Sequence, residues 1–254
     1  AAFREVTMFS RVFARSLPAL AATSALCCAT KIAMCEDSVE SIKRARVTAV
    51  KEVATTRFLR LDTLSYEDAT GRARKWDMAT RTTRKPGADV DGVAIIALLR
   101  RRKAPEAVEM LLVQQFRPPM NAVTVELPAG LIDPGESAEV AALRELKEET
   151  GYVGHAAYTS EKLTMSPGLC DECVKLCVVE VDLDAPENER PQQQLDDTEF
   201  IKVSRVPVQE LLPTLKAMER DGCVPITALF TLAVGLSMAS GVSGVSTKPL
   251  LDCM

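Results

Sequence analysis

The sequence predicts an α/β fold, and three observations carry that expectation. Short apolar or alternating runs bounded by Gly, Pro and Asp recur between Phe58 and Val203 and read as strands. One run of strong helix formers, Ala138 to Glu149, interrupts them. After Val208 the apolar residues change to helical spacing.

Residues 1–35 stand apart from this pattern. From Met8 they carry Arg11, Arg15 and Lys31, several Ser and Thr, and no acid before Glu36. A basic, hydroxylated, acid-poor stretch able to form an amphipathic helix reads as a mitochondrial import leader. The small apolar run Leu17 to Ala29 leaves a secretory signal open, and a start at Met34 would give a cytoplasmic or nuclear form. Residues 36–56 are charged and unpatterned and read as a linker.

Phe58 to Tyr66 and Ala73 to Arg84 are strand-like and join through Glu67-Asp68-Ala69-Thr70-Gly71, a hairpin signal. Val90 to Leu99 and Ala107 to Phe116 read as buried strands, and Val123 to Leu127 leads into a glycine loop. Beyond the central helix come strands Cys173 to Leu183 and Phe200 to Val203, an amphipathic helix Val208 to Arg220 and an apolar helix Ile226 to Ala239. The last is shorter than the roughly 18–20 apolar residues of a membrane span, so it reads as a packed helix.

The chain has 254 residues, 47% apolar and 26% charged, with only 4% aromatic, so its core is aliphatic. A net charge of −4 argues against a nucleic-acid surface. Cys170, Cys173 and Cys177 raise the question of zinc. No second C-x2-C or paired histidine accompanies them, and His155 is the sole histidine, so reduced thiols on a strand are the reading.

The chemistry concentrates between Gly130 and Tyr152. Gly130 is followed by Glu136, then Arg144-Glu145-Leu146, Glu148-Glu149 and Gly151. Pro134-Gly135 is a turn signal before the helix, and Gly151 stands where a helix ends. Val140, Leu143 and Leu146 recur at near-helical spacing and can face a core. Glu145, Glu148 and Glu149, at i, i+3 and i+4, share one face and repel one another. A hard divalent cation relieves that repulsion, and an all-oxygen set suits Mg²⁺ or Mn²⁺ rather than zinc. Such an ion can stabilise a leaving phosphate and activate a water, while Arg144 can hold a neighbouring glutamate in a bidentate contact.

This stretch resembles the Nudix box, G-x5-E-x7-R-E-U-x-E-E-x-G-U, departing from it only in Tyr152 at the last aliphatic position. The segments KWDMATRTTRKPGADVDGVAII, QQFRPPM, ELPAGLID and SPGLCDE, with Pro167 following Gly151 by sixteen residues, are similar to the ADP-sugar (ADP-ribose) pyrophosphatase branch of that superfamily. The resemblance implies an α/β/α sandwich with a mixed sheet over 89–241. It also implies a small N-terminal antiparallel β-domain over 57–88, swapped or packed in a homodimer, and leaves 242–254 as a tail. The implied activity is hydrolysis of ADP-ribose or an ADP-sugar to AMP and a sugar phosphate.

It further implies roles for particular residues. Ala129 would ligate metal through its carbonyl, Glu145 and Glu149 through their side chains, with Glu148 auxiliary and Arg144 orienting them. Arg117 and Arg81 would grip phosphate and ribose, and Leu131 would touch substrate through its backbone. Trp76 and Asp77 would stack on and read adenine. Phe58 stands where the family places a stacking tryptophan, offering less area and no indole N–H. Ser166 stands where near relatives carry an acid. Glu199 would position or deprotonate the attacking water, with Glu172 as the competing candidate. Two other functions stay open: a related hydrolase of oxidised or other nucleoside diphosphates, and a non-catalytic ADP-ribose sensor.

Overall fold

The structure, a computed structural model, describes residues 39–84 and 87–241. The leader and the tail lie outside the described residues. The chain divides into two compact units, one ending at Ala79 and one beginning at Thr80.

The first unit holds a three-stranded sheet in the order β1 (Arg46–Thr55), β2 (Leu59–Glu67) and β3 (Ala73–Arg81, whose last two residues fall in the second unit). The hairpin between β2 and β3 forms where the sequence placed it. Asp68 accepts from the backbone N–H groups of Thr70 and Arg72, and Gly71 takes the left-handed conformation at φ 82°.

The linker expectation for 36–56 is corrected over 46–55, which form β1 antiparallel to β2. Two register shifts, between Val47 and Ala49 and between Glu52 and Ala54, explain why the strand was hidden. Each shift adds a residue and breaks the two-residue alternation that marks a strand in sequence. β1 is exposed along its whole length, including Val47, Val50 and Val53.

The second unit is built on a nine-stranded mixed sheet. Its main path runs β12 (Val224–Pro225), β6 (Ala122–Glu126), β5 (Ala104–Arg117), β4 (Gly92–Arg101), β10 (Cys173–Asp182), β8 (His155–Thr159). β4 and β10 are parallel, whereas β4–β5 and β5–β6 are antiparallel. Three further strands attach to it: β7 (Ala129–Leu131) on β4, β9 (Leu163–Thr164) on β10, and β11 (Lys202–Pro207) on β5. Short strands β7, β8, β9 and β12 carry too few residues for alternation to announce them.

Alternation along the central strands divides the core in two. Ile95, Ala97 and Leu99 of β4, Leu111 of β5, and Cys177, Val179 and Val181 of β10 pack with Ala141, Ala142 and Leu146 of α1 (Ala138–Thr150). Ile96 and Leu98, with Met110 and Leu112, pack instead with Leu211 and Leu215 of α2 (Leu211–Arg220) and Leu229 and Ala233 of α3 (Thr227–Gly241). The unit is therefore an α/β/α sandwich. Each fully buried Leu or Ile contributes about 1.5–3 kcal/mol relative to exposure.

α1 buries Leu143 and Leu146 of the stripe read in the sequence but not Val140. Val140 is exposed, and Ala141, Ala142 and Leu146 face the sheet, with Leu143 partly buried. Small alanines let the helix lie close to β4, with Glu145 and Glu149 set against Gly130 and Ala129 of β7. Ser137 caps the start, accepting from Val140 N at 3.2 Å. Gly151 ends the helix at φ 77°, its N–H bonded to Lys147 O. A Cβ there would lie 2.3 Å from Gln192 N, so glycine is required twice over. Among the described residues no helix is long and apolar enough to cross a membrane.

Candidate active site

The glycine loop is itself a strand. β7 pairs antiparallel with β4 in the register Ala129–Ala94, Gly130–Val93 and Leu131–Gly92. Gly92 permits this approach, because a Cβ on it would lie 2.3 Å from Gly130 O. Pro128 O and Asp91 O secure the two ends by accepting from Ile95 N and Ile132 N. β7 is thereby held over the acidic face of α1.

Two carboxylates of α1 enter this space. Glu149 is buried, and its Oε2 accepts from Ala129 N at 3.0 Å. Glu145 lies against Gly130, where a Cβ would meet its carboxyl carbon at 1.9 Å. Burial, reinforced by the charges of Glu145 and Glu199, pushes the Glu149 carboxyl up to about 8 despite the opposing pull of the Ala129 N–H and Arg117. Burial also raises Glu145, partly offset by Arg144. Glu145, Glu149, Glu199 and Arg117 thus share one electrostatic cluster.

Arg144 organises the outer side of that cluster. Its Nε and Nη2 grip Glu136 at 3.0 and 2.9 Å, its Nη1 donates to Glu145 at 2.8 Å and Glu148 at 3.0 Å, and Nη2 also reaches Leu131 O at 2.9 Å. All five guanidinium N–H groups are engaged. Glu148 is half-buried and shares Arg144 Nη1 with Glu145, and the Leu131 carbonyl is occupied by Arg144.

Arg117 is held from the sheet side. Its Nε and Nη2 donate to the two oxygens of Glu126 at 2.8 and 2.7 Å, and the Thr124 hydroxyl also bonds Glu126. Burial alone would raise the Glu126 carboxyl, but Arg117 and Thr124 hold it below the ordinary range. Glu126 was not singled out in the sequence; its place three residues before Ala129, at the buried end of β6, was the available signal.

Arg81 donates through Nε to Glu172 at 2.6 Å, so the two residues assigned separate roles form one ion pair. Arg84, given no role of its own from the sequence, grips buried Asp91 in a bidentate contact and reaches the Asp171 side chain at 2.7 Å. Asp91 in turn accepts from Cys173 N. Together these bonds fix the segment after β3 to the start of β10. Ser166 O caps the intervening turn, accepting from Leu169 N and Cys170 N.

Glu199 rides on an exposed loop whose base is stapled. Gln193 Nε2 donates to Glu149 O at 2.6 Å and to Ile201 O at 3.0 Å, and Gln194 N donates to Glu148 O. The loop thus closes onto the last carbonyls of α1. Neither glutamine was flagged in the sequence.

The remaining expected substrate residues belong to the first unit. Trp76 is exposed on β3, Asp77 accepts from the Thr63 hydroxyl at 2.7 Å, and exposed Phe58 lies under the Arg57 guanidinium at 4.7 Å.

The donor set fits a hard divalent cation: the mutually repelling carboxylates of buried Glu149 and part-buried Glu145, with no soft ligand beside them among the described residues. Among the described residues no group of three or more His, Cys, Asp or Glu is gathered as a ready-made metal site. Two carboxylates suffice for Mg²⁺, which takes its other ligands from carbonyl, water and substrate phosphate. The described cysteines 170, 173, 177 and 223 are free thiols.

Comparison with known proteins agrees with this geometry. Residues 90–225, more than half of the chain, match the family described as NUDIX domain. The chain is 40% identical over 190 residues to the ADP-ribose pyrophosphatase of Saccharomyces cerevisiae, spanning 75% of this chain and 81% of that protein. It is 37% identical over 205 residues to the ADP-sugar pyrophosphatase of Mus musculus, spanning 81% and 92%. The crystal structure of an ADP compounds hydrolase superposes with a TM-score of 0.51, covering 78% of this chain and 96% of that one. At 20% identity, that likeness speaks to the fold.

Proposed function

Because the chain belongs to the NUDIX family, we propose that it hydrolyses the diphosphate bond of ADP-ribose and related ADP-sugars, giving AMP and a sugar phosphate. The observation that carries this reading is the pair of buried Glu149 and part-buried Glu145, set against β7 in one electrostatic cluster with Arg117. Anionic groups held out of water, with a fixed guanidinium nearby, suit a polyanionic diphosphate and its counter-cation. The names of the yeast and mouse relatives support the substrate class.

Glu145 and Glu149, with the Ala129 carbonyl, would hold Mg²⁺ or Mn²⁺. Bound there, the ion would neutralise phosphate charge and make a water more acidic. Arg144 fixes the Glu145 side chain so that the site is formed before substrate arrives. Arg117 donates to the diphosphate oxygens on which charge accumulates as the bond breaks. Glu199 accepts the proton of the attacking water when its loop closes; Glu172, held by Arg81, is the less available base. Arg81 meets ribose or phosphate, and Leu131 lines the substrate.

The exposed edge strand β1, which carries Val47, Val50 and Val53, supports a homodimer, because a strand edge invites a second copy. In that dimer Trp76, Asp77 and Phe58 stack on and read adenine. The 1–35 leader directs the chain to mitochondria, which a reporter fused to those residues would check.

Chromatographic product analysis tests the activity. ADP-ribose, ADP-mannose, ADP-glucose and oxidised guanine nucleotides are supplied with and without Mg²⁺. AMP and sugar phosphate released only with Mg²⁺ support the reading. Preference for an oxidised nucleotide, or tight ADP-ribose binding without turnover, overturns it.

A further inference from the structure

Glu126 lies outside the box, yet it is buried beside it. It commits both carboxylate oxygens to Arg117 and also bonds the Thr124 hydroxyl. The Nε–Nη2 edge of Arg117 is therefore occupied, and an incoming phosphate can meet only the remaining N–H groups. Arg117 also feels the charges of Glu149 and Glu199. Two sets of carboxylates thus compete for one guanidinium: Glu126 on the sheet, and the cluster on α1 and the 194–200 loop.

We propose that Glu126 is a positioning residue for Arg117, holding the guanidinium in a fixed plane and cancelling its charge so that Glu145 and Glu149 keep their affinity for a divalent cation. The inference rests on the ADP-sugar hydrolase reading for its kinetic part only. An arginine is useful at a metal-phosphate site if it reaches the phosphate without displacing the cation. With the Arg117–Glu126 pair intact, the positive charge that Arg117 presents to Glu149 is partly offset by the carboxylate behind it. Neutralise Glu126 and a full positive charge stands beside the cation site, repelling the ion or pairing with its ligands.

Mn²⁺ binding to the substrate-free protein, read by paramagnetic resonance of the free ion, tests this directly. Glu126→Gln is expected to weaken Mn²⁺ binding roughly three- to tenfold, Arg117→Gln to strengthen it, and the double variant to return within about twofold of wild type, since coupled neighbours are non-additive. Glu126→Asp keeps the charge but shortens the reach, so it retains Mn²⁺ affinity while raising KM for ADP-ribose. It also serves as the second variant should Glu126→Gln unfold. In turnover, Glu126→Gln adds no further loss once Arg117→Gln is present.

Unchanged Mn²⁺ affinity in Glu126→Gln, or kinetic losses that multiply in the double variant, would overturn the proposal. A wild-type protein inactive on every ADP-sugar would sink the substrate reading instead, and the Mn²⁺ measurements would still decide the role of Glu126.

Discussion

Glu145 of α1 fills the space that a side chain on Gly130 would take: a Cβ on Gly130 would stand 1.9 Å from the Glu145 carboxyl carbon. The glycine of the loop thus makes room for the carboxylate of the helix rather than for a turn, since Gly130 lies in a paired strand. Gly130→Ala is expected to displace Glu145 and lower kcat/KM on ADP-ribose roughly a hundredfold or more, the scale of an ångström's misplacement at a reacting site. Mn²⁺ affinity falls in parallel, while far-ultraviolet circular dichroism is unchanged. Retention of kcat/KM within about threefold would show that Glu145 need not sit there.

Glu149 makes the metal-free protein sensitive to pH. Its carboxyl, ordinarily near 4.5, is pushed up to about 8, first by burial and then by Glu145 and Glu199. Between those values the folded chain retains a proton that the unfolded chain has lost. The stability linked to that proton is whole below 4.5 and fades as pH rises through 8. Thermal unfolding in a chelator should therefore show Tm falling from about pH 5.5 to about pH 8.5. Glu149→Gln should flatten the fall, and added Mg²⁺ should raise Tm most at the alkaline end. A decline equally steep in Glu149→Gln would assign the effect to other groups.

Arg144 spends every N–H on Glu136, Glu145, Glu148 and the Leu131 carbonyl. Lysine offers three donors from a point, so Arg144→Lys leaves at least two of these five bonds unmade. Hydrogen bonds to charged groups are worth about 1.5–3 kcal/mol each, and partial solvation of this site argues for the low end of the sum, about 2–3 kcal/mol. Urea unfolding measures the loss. Activity should fall along with stability, because Glu145 loses its orienting donor. Unfolding free energy within about 0.5 kcal/mol of wild type would show the network to be redundant.

How much of this was legible before the structure depended on the range of the signal. α1, its Ser137 cap and its Gly151 stop follow from neighbours in sequence, and so does the hairpin around Asp68. β1 was missed because two register shifts erase alternation, and Val140 was misassigned because alanines, not the larger aliphatics, face the sheet. At the site, the box supplied Glu145 and Glu149. The residues that hold its other parts, Glu126, Gln193, Arg84 and Asp91, reach partners brought near by sheet pairing or loop closure. The Arg81–Glu172 pair spans ninety-one positions, a juxtaposition no local pattern can announce.

Gln193 closes the loop that carries Glu199. Its amide nitrogen bridges the carbonyls of Glu149 and Ile201, one at the end of α1 and the other at the foot of β11. The α1 carbonyl has no partner within its own helix, so this bond also caps the helix. Removing the bridge releases the Ile201 end and leaves the α1 end held by Gln194 N on Glu148 O alone, which lets Glu199 sample positions away from the carboxylate pair. Gln193→Ala should lower kcat on ADP-ribose roughly ten- to a hundredfold and change KM little, since no substrate contact is removed. Gln193→Glu sharpens the test: it has the same length, but an ionised carboxylate donates no proton and repels both carbonyls. It should lose at least as much activity as alanine. Wild-type kcat in Gln193→Glu would mean that the loop is ordered by its backbone alone, through Gln194 N and Glu148 O.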